Sequence, residues 1–213
     1  MRRELRLIEK KLRERGFRRV AGVDEAGRGA WAGPLVAAAV ILPEEFELLS
    51  LDDSKRLSPG VRERVLRRIL MDAVSWSVAV MPASTVDEIG LQRCNLAALR
   101  QALLGLDVTP DYFVSDGFSL SALPFPGRGL VRGDRQVGAV AAASVLAKVA
   151  RDRIMRGIAR TYPQYGFERH VGYGTAEHRA RLEEHGPSPV HRLTFRPLAD
   201  SAGVQEALFG ELE

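Results

Sequence analysis

The stretch VAGVDEAGRG, from Val20 to Gly29, decides the fold, because an apolar run passes directly into two carboxylates and then into a glycine-rich turn. Two other apolar runs also reach an acidic residue, YFVSDG at Asp116 and GLVRGD at Asp134. If these runs are strands of one sheet, Asp24, Glu25 and both later acids can meet at one edge. Clustered carboxylates either share a proton or bind a cation, and oxygen ligands suit magnesium or manganese.

A simpler explanation exists for each acid taken singly. An Asp beside a Gly commonly caps a helix or makes a turn. Only the set of four, read with its local sequences, favours metal-assisted chemistry on an anionic substrate.

Composition bounds the class of protein. The chain has 213 residues, 46% of them hydrophobic, enough for one α/β core with an appended element. Cys94 is the only cysteine, which excludes an internal disulfide and a multi-cysteine zinc site. No apolar run approaches the roughly 20 residues that a bilayer requires, and the N-terminus lacks a secretory signal, so we expect a cytoplasmic protein. A net charge of +4 permits a polyanionic partner.

The N-terminal half predicts a helix followed by a hairpin. Leu5, Ile8 and Leu12 form an apolar stripe in a charged helix over the first fifteen residues. The strand at residues 20–23 is expected to pair antiparallel with a second strand at residues 35–42. Because the glycine-rich turn leads into a strand and not a helix, a dinucleotide-binding fingerprint is excluded.

The remaining pattern predicts a mixed five-stranded sheet flanked by helices, an α/β fold. The expected elements are a helix capped by Ser58, a strand at 76–81, one or two helices at 84–104, a strand at 112–114, a short strand at Leu130 and Val131, and an alanine-rich helix from Val137 to about Ile158. The change in composition beyond Thr161 predicts a small helical extension. We therefore expect a catalytic domain over residues 1–160 and an extension over 161–213.

These segments resemble, in order, the motifs of bacterial ribonuclease HII, the type 2 ribonuclease H family. The matching segments are DEAGRGAWAGPLVAAAV, DDSKRLS, SDG, RGD, AAASVLAKVARDRIM and GYGTAEH, between Val20 and His178. The resemblance implies a ribonuclease H-like fold and a metal-dependent endonuclease that hydrolyses the RNA strand of RNA-DNA hybrids. It also implies cleavage on the 5′ side of ribonucleotides embedded in duplex DNA, leaving 5′-phosphate and 3′-hydroxyl ends. Its catalytic residues and ligands for two Mg²⁺ or Mn²⁺ ions would be Asp24, Glu25, Asp116 and Asp134.

Substrate contacts are expected at the GRG turn and at Tyr173. Main-chain groups of the turn, formed by Gly27, Arg28 and Gly29, could bind the ribose 2′-hydroxyl, and Tyr173 could stack on the next sugar. Candidate phosphate contacts are Lys55 and three residues on one stripe of the alanine-rich helix, Ser144, Lys148 and Arg151. A plain hairpin and a packed tyrosine are the alternatives.

Other polar residues in the second half of the chain are assigned structural roles. Asp152 is expected in an ion pair, and the four histidines of the extension are interpreted as surface residues because their spacing fits no short zinc motif. Val171 stands where the family pattern leads us to expect a basic residue.

Two other functions remain open at this point, a phosphotransferase or ATPase of ribonuclease H-like fold and a hybrid-binding module without catalysis. We expect a monomer. Near the C-terminus, Gln205 to Phe209 read QEALF and resemble the peptides that dock on the sliding clamp. The alternative for this segment is that Leu208 and Phe209 close the extension's own core.

Overall fold

The computed structural model describes residues 7–46 and 59–199. Its strands are β1 (Val20–Ala26), β2 (Leu35–Ile41), β3 (Ser75–Met81), β4 (Tyr112–Asp116) and β5 (Gly127–Leu130). Its helices are α1 (Leu7–Glu14), α2 (Pro59–Asp72), α3 (Ala83–Ile89), α4 (Leu91–Leu104), α5 (Gly138–Thr161), α6 (Phe167–His170) and α7 (Ala176–His185). Ser58, the expected cap of α2, lies outside the described residues.

The five strands form one mixed sheet in the order β3-β2-β1-β4-β5. Strand β1 pairs antiparallel with β2, as the sequence predicts, and parallel with β4. In the parallel pair Val23 lies opposite Ser115, so the next residues along, Asp24 and Asp116, lie level on neighbouring strands. This register places two of the predicted acids side by side.

Helices cover both faces of the sheet. Helix α5 packs on β1 and β2 within one apolar cluster, and α4 covers the opposite face within a second. The alanines of α5 allow a close approach, and Gly22 makes it closer still, since a Cβ there would lie 2.1 Å from the backbone of Ala139. Backbone contact between β1 and α5 therefore fixes Ser144 near the end of β1.

An acidic side chain joins α1 to the start of α5. Glu9 is 3% exposed, and its Oε1 accepts a hydrogen bond of 3.0 Å from the backbone N–H of Ala139. A carboxylate is favourable there because the first amides of a helix lack partners within the helix and carry a partial positive charge.

The end of β5 and the position of Asp134 differ from the expectation. Strand β5 ends at Leu130, and Val131 is 78% exposed, because Arg132 adopts a left-handed conformation and turns the chain into a short 3₁₀ helix at Gly133–Arg135. Asp134 therefore lies on this 3₁₀ turn and not at the end of a strand. Gly90, with a φ of 81°, divides the region predicted as one or two helices into α3 and α4.

The C-terminal extension packs against the turn between β1 and β2. The N–H of Gly33 donates to the carbonyl of Val190 over 2.8 Å, and the N–H of Arg192 donates to the carbonyl of Trp31 over 2.8 Å. Beneath them lies a small apolar cluster that includes Ala32 and Met155. The boundary at residue 160 stays a prediction. Within the described ranges, no helix is long and apolar enough to cross a membrane.

Candidate active site

Asp24 and Asp116 lie level with each other near the ends of β1 and β4. Asp24 is 4% exposed, and its Oδ1 accepts a hydrogen bond of 2.8 Å from the N–H of Glu25. Asp116 is the last residue of β4, and its Oδ1 accepts a hydrogen bond of 2.8 Å from the N–H of Gly133. This second bond brings the 3₁₀ turn that carries Asp134 beside Asp116.

The pKa of Asp24 is raised well above its ordinary value. The main cause is burial, and the negative charges of Glu25 and Asp116 raise the pKa further. A hydrogen bond with Ser144 and the N–H of Glu25 oppose this rise. Burial and the neighbouring negative charges therefore both disfavour the ionised form of Asp24.

The residues fit a hard divalent cation. All four candidate ligands are carboxylates, the donors that Mg²⁺ and Mn²⁺ prefer, and a bound cation would relieve the repulsion that raises the pKa of Asp24. Over the described ranges, no group of three His, Cys, Asp or Glu side chains is already arranged to hold a metal ion. Assigning the ligands therefore remains a proposal.

The GRG turn follows directly from the acids. Gly27 has a φ of +89°, and a Cβ there would lie 1.9 Å from Nε of Arg151, so both the backbone conformation and the space require glycine. Gly29 is exposed, with nothing within 4 Å of an added Cβ. Arg28 donates from Nη2 to Oε1 of Gln92 over 2.9 Å and lies over the Phe118 ring. The outer side of the turn is therefore open at Gly29.

Arg151 does not have the role that the sequence suggests. It is fully buried, and its guanidinium donates to the backbone carbonyls of Pro34, Ala32 and Val171 over 2.9, 3.0 and 2.9 Å. The prediction that Arg151 contacts a phosphate is therefore wrong. Instead Arg151 joins the GRG hairpin to the extension through the carbonyl of Val171.

Arg192 is a second buried arginine, which sequence reasoning missed. It donates to the carbonyl of Gly33 from Nε and Nη2 over 3.1 and 3.0 Å, and to the carbonyl of Arg28 from Nη1 over 3.1 Å. Burial lowers the pKa of Arg192 to about 10, and burial also lowers the pKa of Arg151. Both remain cationic at neutral pH, so two positive charges lie beneath the turn. In the sequence Arg192 follows His191, and nothing in this local pattern indicates that the arginine is buried.

A cavity of about 390 Å³ lies between Glu25, the GRG turn and α5. It is lined by Glu25, Ala26, Gly27, Arg28, Gly29, Arg62, Ser144, Lys148 and Tyr173. Seven of these residues were candidates from the sequence, and Ala26 and Arg62 were not. The periodicity of α2 indicated only a surface helix, and nothing local marks Arg62 as lining a cavity.

Two cationic side chains lie over the ring of Tyr173. Nζ of Lys148 lies 5.5 Å from the ring centre, and Cζ of Arg151 lies 5.2 Å from it. Lys148 also donates to Asp152 over 2.7 Å, and Arg62 lies 3.8 Å from the other oxygen of Asp152. The ion pair predicted for Asp152 is thus confirmed. Lys55 lies outside the described residues.

Three of the four histidines contradict the surface interpretation, whereas His185 is exposed as expected. His170, His178 and His191 are 7%, 0% and 2% exposed and form one cluster beneath the Tyr173 loop. Burial is the main cause that lowers the pKa of His178 to about 4 and that of His191 to about 4. Their unequal spacing hid the cluster, because turns and not one helix bring the rings together.

Carboxylates on adjacent parallel strands, beside a cavity lined by cations and an open glycine turn, define a nucleic-acid-cleaving enzyme of ribonuclease H-like fold. The family model described as Ribonuclease HII matches residues 21–197, and the chain belongs to that family. It is therefore an endonuclease of the ribonuclease H type. The phosphotransferase and the non-catalytic binding module lose their support.

The relatives agree over most of the chain. Ribonuclease HII of Salinispora arenicola is 52% identical over 94% of this chain and 75% of its own length. Ribonuclease HII of Halalkalibacterium halodurans is 45% identical over 95% of this chain and 77% of its own.

Solved structures share the fold. Ribonuclease H2 from Pyrococcus horikoshii OT3 has a TM-score of 0.74 and 26% identity, covering 85% of this chain and 96% of that one. The matching chain of the PCNA:RNase HII complex from Archaeoglobus fulgidus has a TM-score of 0.72 and 25% identity, and the match covers 84% of this chain and 95% of that one. Bst-RNase HIII in complex with Mn²⁺, at 17% identity, a TM-score of 0.70 and 89% and 70% coverage, shows the fold alone.

Proposed function

We propose that the enzyme cuts the RNA strand of RNA-DNA hybrids and also cuts on the 5′ side of single ribonucleotides embedded in duplex DNA. Products would carry 5′-phosphate and 3′-hydroxyl ends. One observation carries the proposal: Glu25, the GRG turn and Tyr173 line one cavity, next to Asp24 and Asp116 on level strands. The carboxylates proposed to hold the metal ions are therefore adjacent to the residues proposed to contact the sugar.

Asp24, Glu25, Asp116 and Asp134 would hold the divalent ions. When bound, such ions lower the pKa of an attacking water and stabilise the leaving oxygen of a phosphodiester. The carboxylates would position these charges, and a set of ligands made only of oxygen suits a hard divalent ion.

Sugar selection is assigned to the GRG turn and to Tyr173. The turn is open at Gly29, where backbone groups can approach a ribose 2′-hydroxyl, the group that distinguishes RNA from DNA. Tyr173 is half-buried with its ring against cations, so one face is supported while it stacks on the following sugar. Both contacts belong to the same cavity.

Backbone contacts are assigned to residues on α5 and α2. Ser144 and Lys148 line the cavity, and Arg62 joins them from α2. The Lys148 side chain is 32% exposed, so it can contact a phosphate while it keeps its bond to Asp152. Lys55 is proposed from the motif alone. Arg151 has a structural role instead, because it holds the GRG hairpin through hydrogen bonds to the carbonyls of Pro34 and Ala32.

A duplex that contains one ribonucleotide tests the reaction. With magnesium or manganese, the products should be a nick 5′ of the ribonucleotide with the stated end groups, resolved by gel against size markers and phosphatase treatment. A matched duplex with a 2′-deoxy sugar should remain intact, because the turn has no hydroxyl to bind. Equal cutting of both duplexes, or full activity in chelator, would overturn the proposal.

We also propose a sliding-clamp contact through Gln205 to Phe209, supported by the PCNA:RNase HII complex of the archaeal relative. The segment lies outside the described residues. Physically, Leu208 and Phe209 would fill an apolar pocket and Gln205 would bind at its rim.

Deletion of residues 205–213 separates clamp docking from packing within the extension. Loss of clamp binding at unchanged melting temperature supports docking. A lowered melting temperature, with no clamp binding by the intact chain, contradicts it.

A further inference from the structure

The backbone of Tyr173 is bonded at both of its polar groups. Its N–H donates to the carbonyl of His170 over 2.9 Å, and its carbonyl accepts from the N–H of Thr175 over 2.8 Å. Nδ1 of His178 lies 3.0 Å from the same carbonyl. The peptide that carries the Tyr173 ring is thus held by a histidine that the substrate cannot reach.

His178 continues into a second histidine. Its Nε2 lies 3.1 Å from Nε2 of His191, and Nδ1 of His191 lies 2.9 Å from both the N–H and the hydroxyl oxygen of Ser188. The chain of contacts therefore runs from Ser188 through two buried rings to the carbonyl of Tyr173.

Donor and acceptor rules fix the proton on each ring. The Tyr173 carbonyl can only accept, so Nδ1 of His178 carries a proton and donates. A neutral ring then has a bare Nε2, which requires Nε2 of His191 to carry a proton. His191 is left with a bare Nδ1, which accepts from the N–H of Ser188. Every atom in the chain is satisfied by one arrangement only.

A third ring obeys the same rule. Nε2 of His170 lies 2.9 Å from the carbonyl of Tyr165 and therefore donates, while Nδ1 accepts from the N–H of Gly172 over 3.2 Å. This ring stacks on His178 with centres 4.5 Å apart and planes at 15°. A positive charge on either ring would face its neighbour directly.

We propose that His178 and His191 are positioning residues for Tyr173, each held neutral in one tautomer, and that together they set where the Tyr173 ring meets the ribonucleotide. The lowered pKa values of both histidines agree with neutral rings. The inference rests on the proposed contact of Tyr173 with the substrate. It assigns the discrimination of a single ribonucleotide partly to residues outside the cavity.

The tautomers can be measured directly in the wild-type protein. Long-range ¹H–¹⁵N NMR of histidine-labelled protein at pH 7 should show His178 protonated at Nδ1, and His170 and His191 protonated at Nε2. His185, which is partly exposed beside Glu184, serves as the reference ring. A charged His178, or His178 protonated at Nε2, would overturn the inference without any appeal to activity.

Two substitutions of one residue test the consequence. In His191→Gln the side-chain amide nitrogen can stand in for Nε2 and still donate to His178, whereas in His191→Asn the oxygen stands in for Nδ1 and only the Ser188 bonds survive. The measured quantity is kcat/KM on a single-ribonucleotide duplex divided by kcat/KM on a continuous hybrid. This ratio should fall about fivefold in His191→Asn, the worth of one net hydrogen bond, and stay within about twofold in His191→Gln.

Controls separate this inference from the proposed function. His185→Gln should leave the ratio unchanged. Equal ratios in His191→Asn and His191→Gln would overturn the positioning role, even if both variants melt at lower temperature. If Tyr173→Ala leaves the ratio unchanged while the tautomers are as stated, the substrate contact of Tyr173 is what fails, and the positioning role fails with it.

Discussion

At the scale of single residues, Asp24 destabilises the fold and is also proposed to act in the reaction. Its pKa is raised chiefly by burial, so at neutral pH the ionised side chain is less stable in the folded protein than in the unfolded chain. Asp24→Asn keeps the shape and removes the charge. We expect magnesium-dependent cleavage to collapse and the melting temperature without metal to rise. A variant that cuts at near wild-type rate would remove Asp24 from the ligand set.

The buried histidines predict an acid-sensitive fold. The pKa of His178 and of His191 is about 4 in the folded protein and 6.5 as the ordinary value, so the unfolded chain binds more protons between these limits. The free energy of unfolding should therefore fall as the pH is lowered from about 6.5. Denaturant midpoints at pH 7, 6 and 5 test this expectation. Asp24, whose pKa is raised, changes the stability in the opposite direction, so the comparison is between variants: His191→Gln should give a flatter curve than the wild type, and identical curves would contradict the assignment.

At the scale of elements, the GRG turn makes different demands on its two glycines. Gly27→Ala forces a side chain into a left-handed backbone and into Arg151, so we expect a loss of roughly 2 to 4 kcal/mol in the free energy of unfolding. Gly29→Ala meets no atom within 4 Å and should melt like the wild type. Its methyl group would instead obstruct the substrate, and KM should rise. Equal melting temperatures for both variants would contradict this division.

Elements were predictable where local pattern decides them and not where distant contacts do. The alternation of apolar runs and turns was enough for β1, β2 and α5, and Asp24 and Asp116 lie level on neighbouring strands, as the sequence predicts. The end of β5 was missed because a left-handed Arg132 sets it. The roles of Arg151 and Arg192 were missed because their partners are backbone carbonyls far along the chain, which residue types do not reveal.

At the scale of the whole molecule, the extension and the catalytic sheet should unfold together. Amides of Trp31 and Gly33 bond to carbonyls of the extension, and Arg192 bonds back to Gly33 and Arg28. We expect a single cooperative transition by calorimetry. In Arg192→Leu, hydrogen exchange should speed up at Trp31 and Gly33 but not at Val114 in β4. Two separate transitions would instead support an independent domain beyond residue 160.

The contact between Gly22 and Ala139 has a mechanical consequence. With no side chain between strand and helix, the two backbones touch, and neither can move toward the other. Asp24 lies two residues beyond Gly22 and Ser144 lies five beyond Ala139, so both are carried by this one rigid joint. The distance between Asp24 and Ser144 is therefore fixed by this contact. If both residues act on the substrate as proposed, adjustment to duplexes of different shape must come from the loop that carries Tyr173.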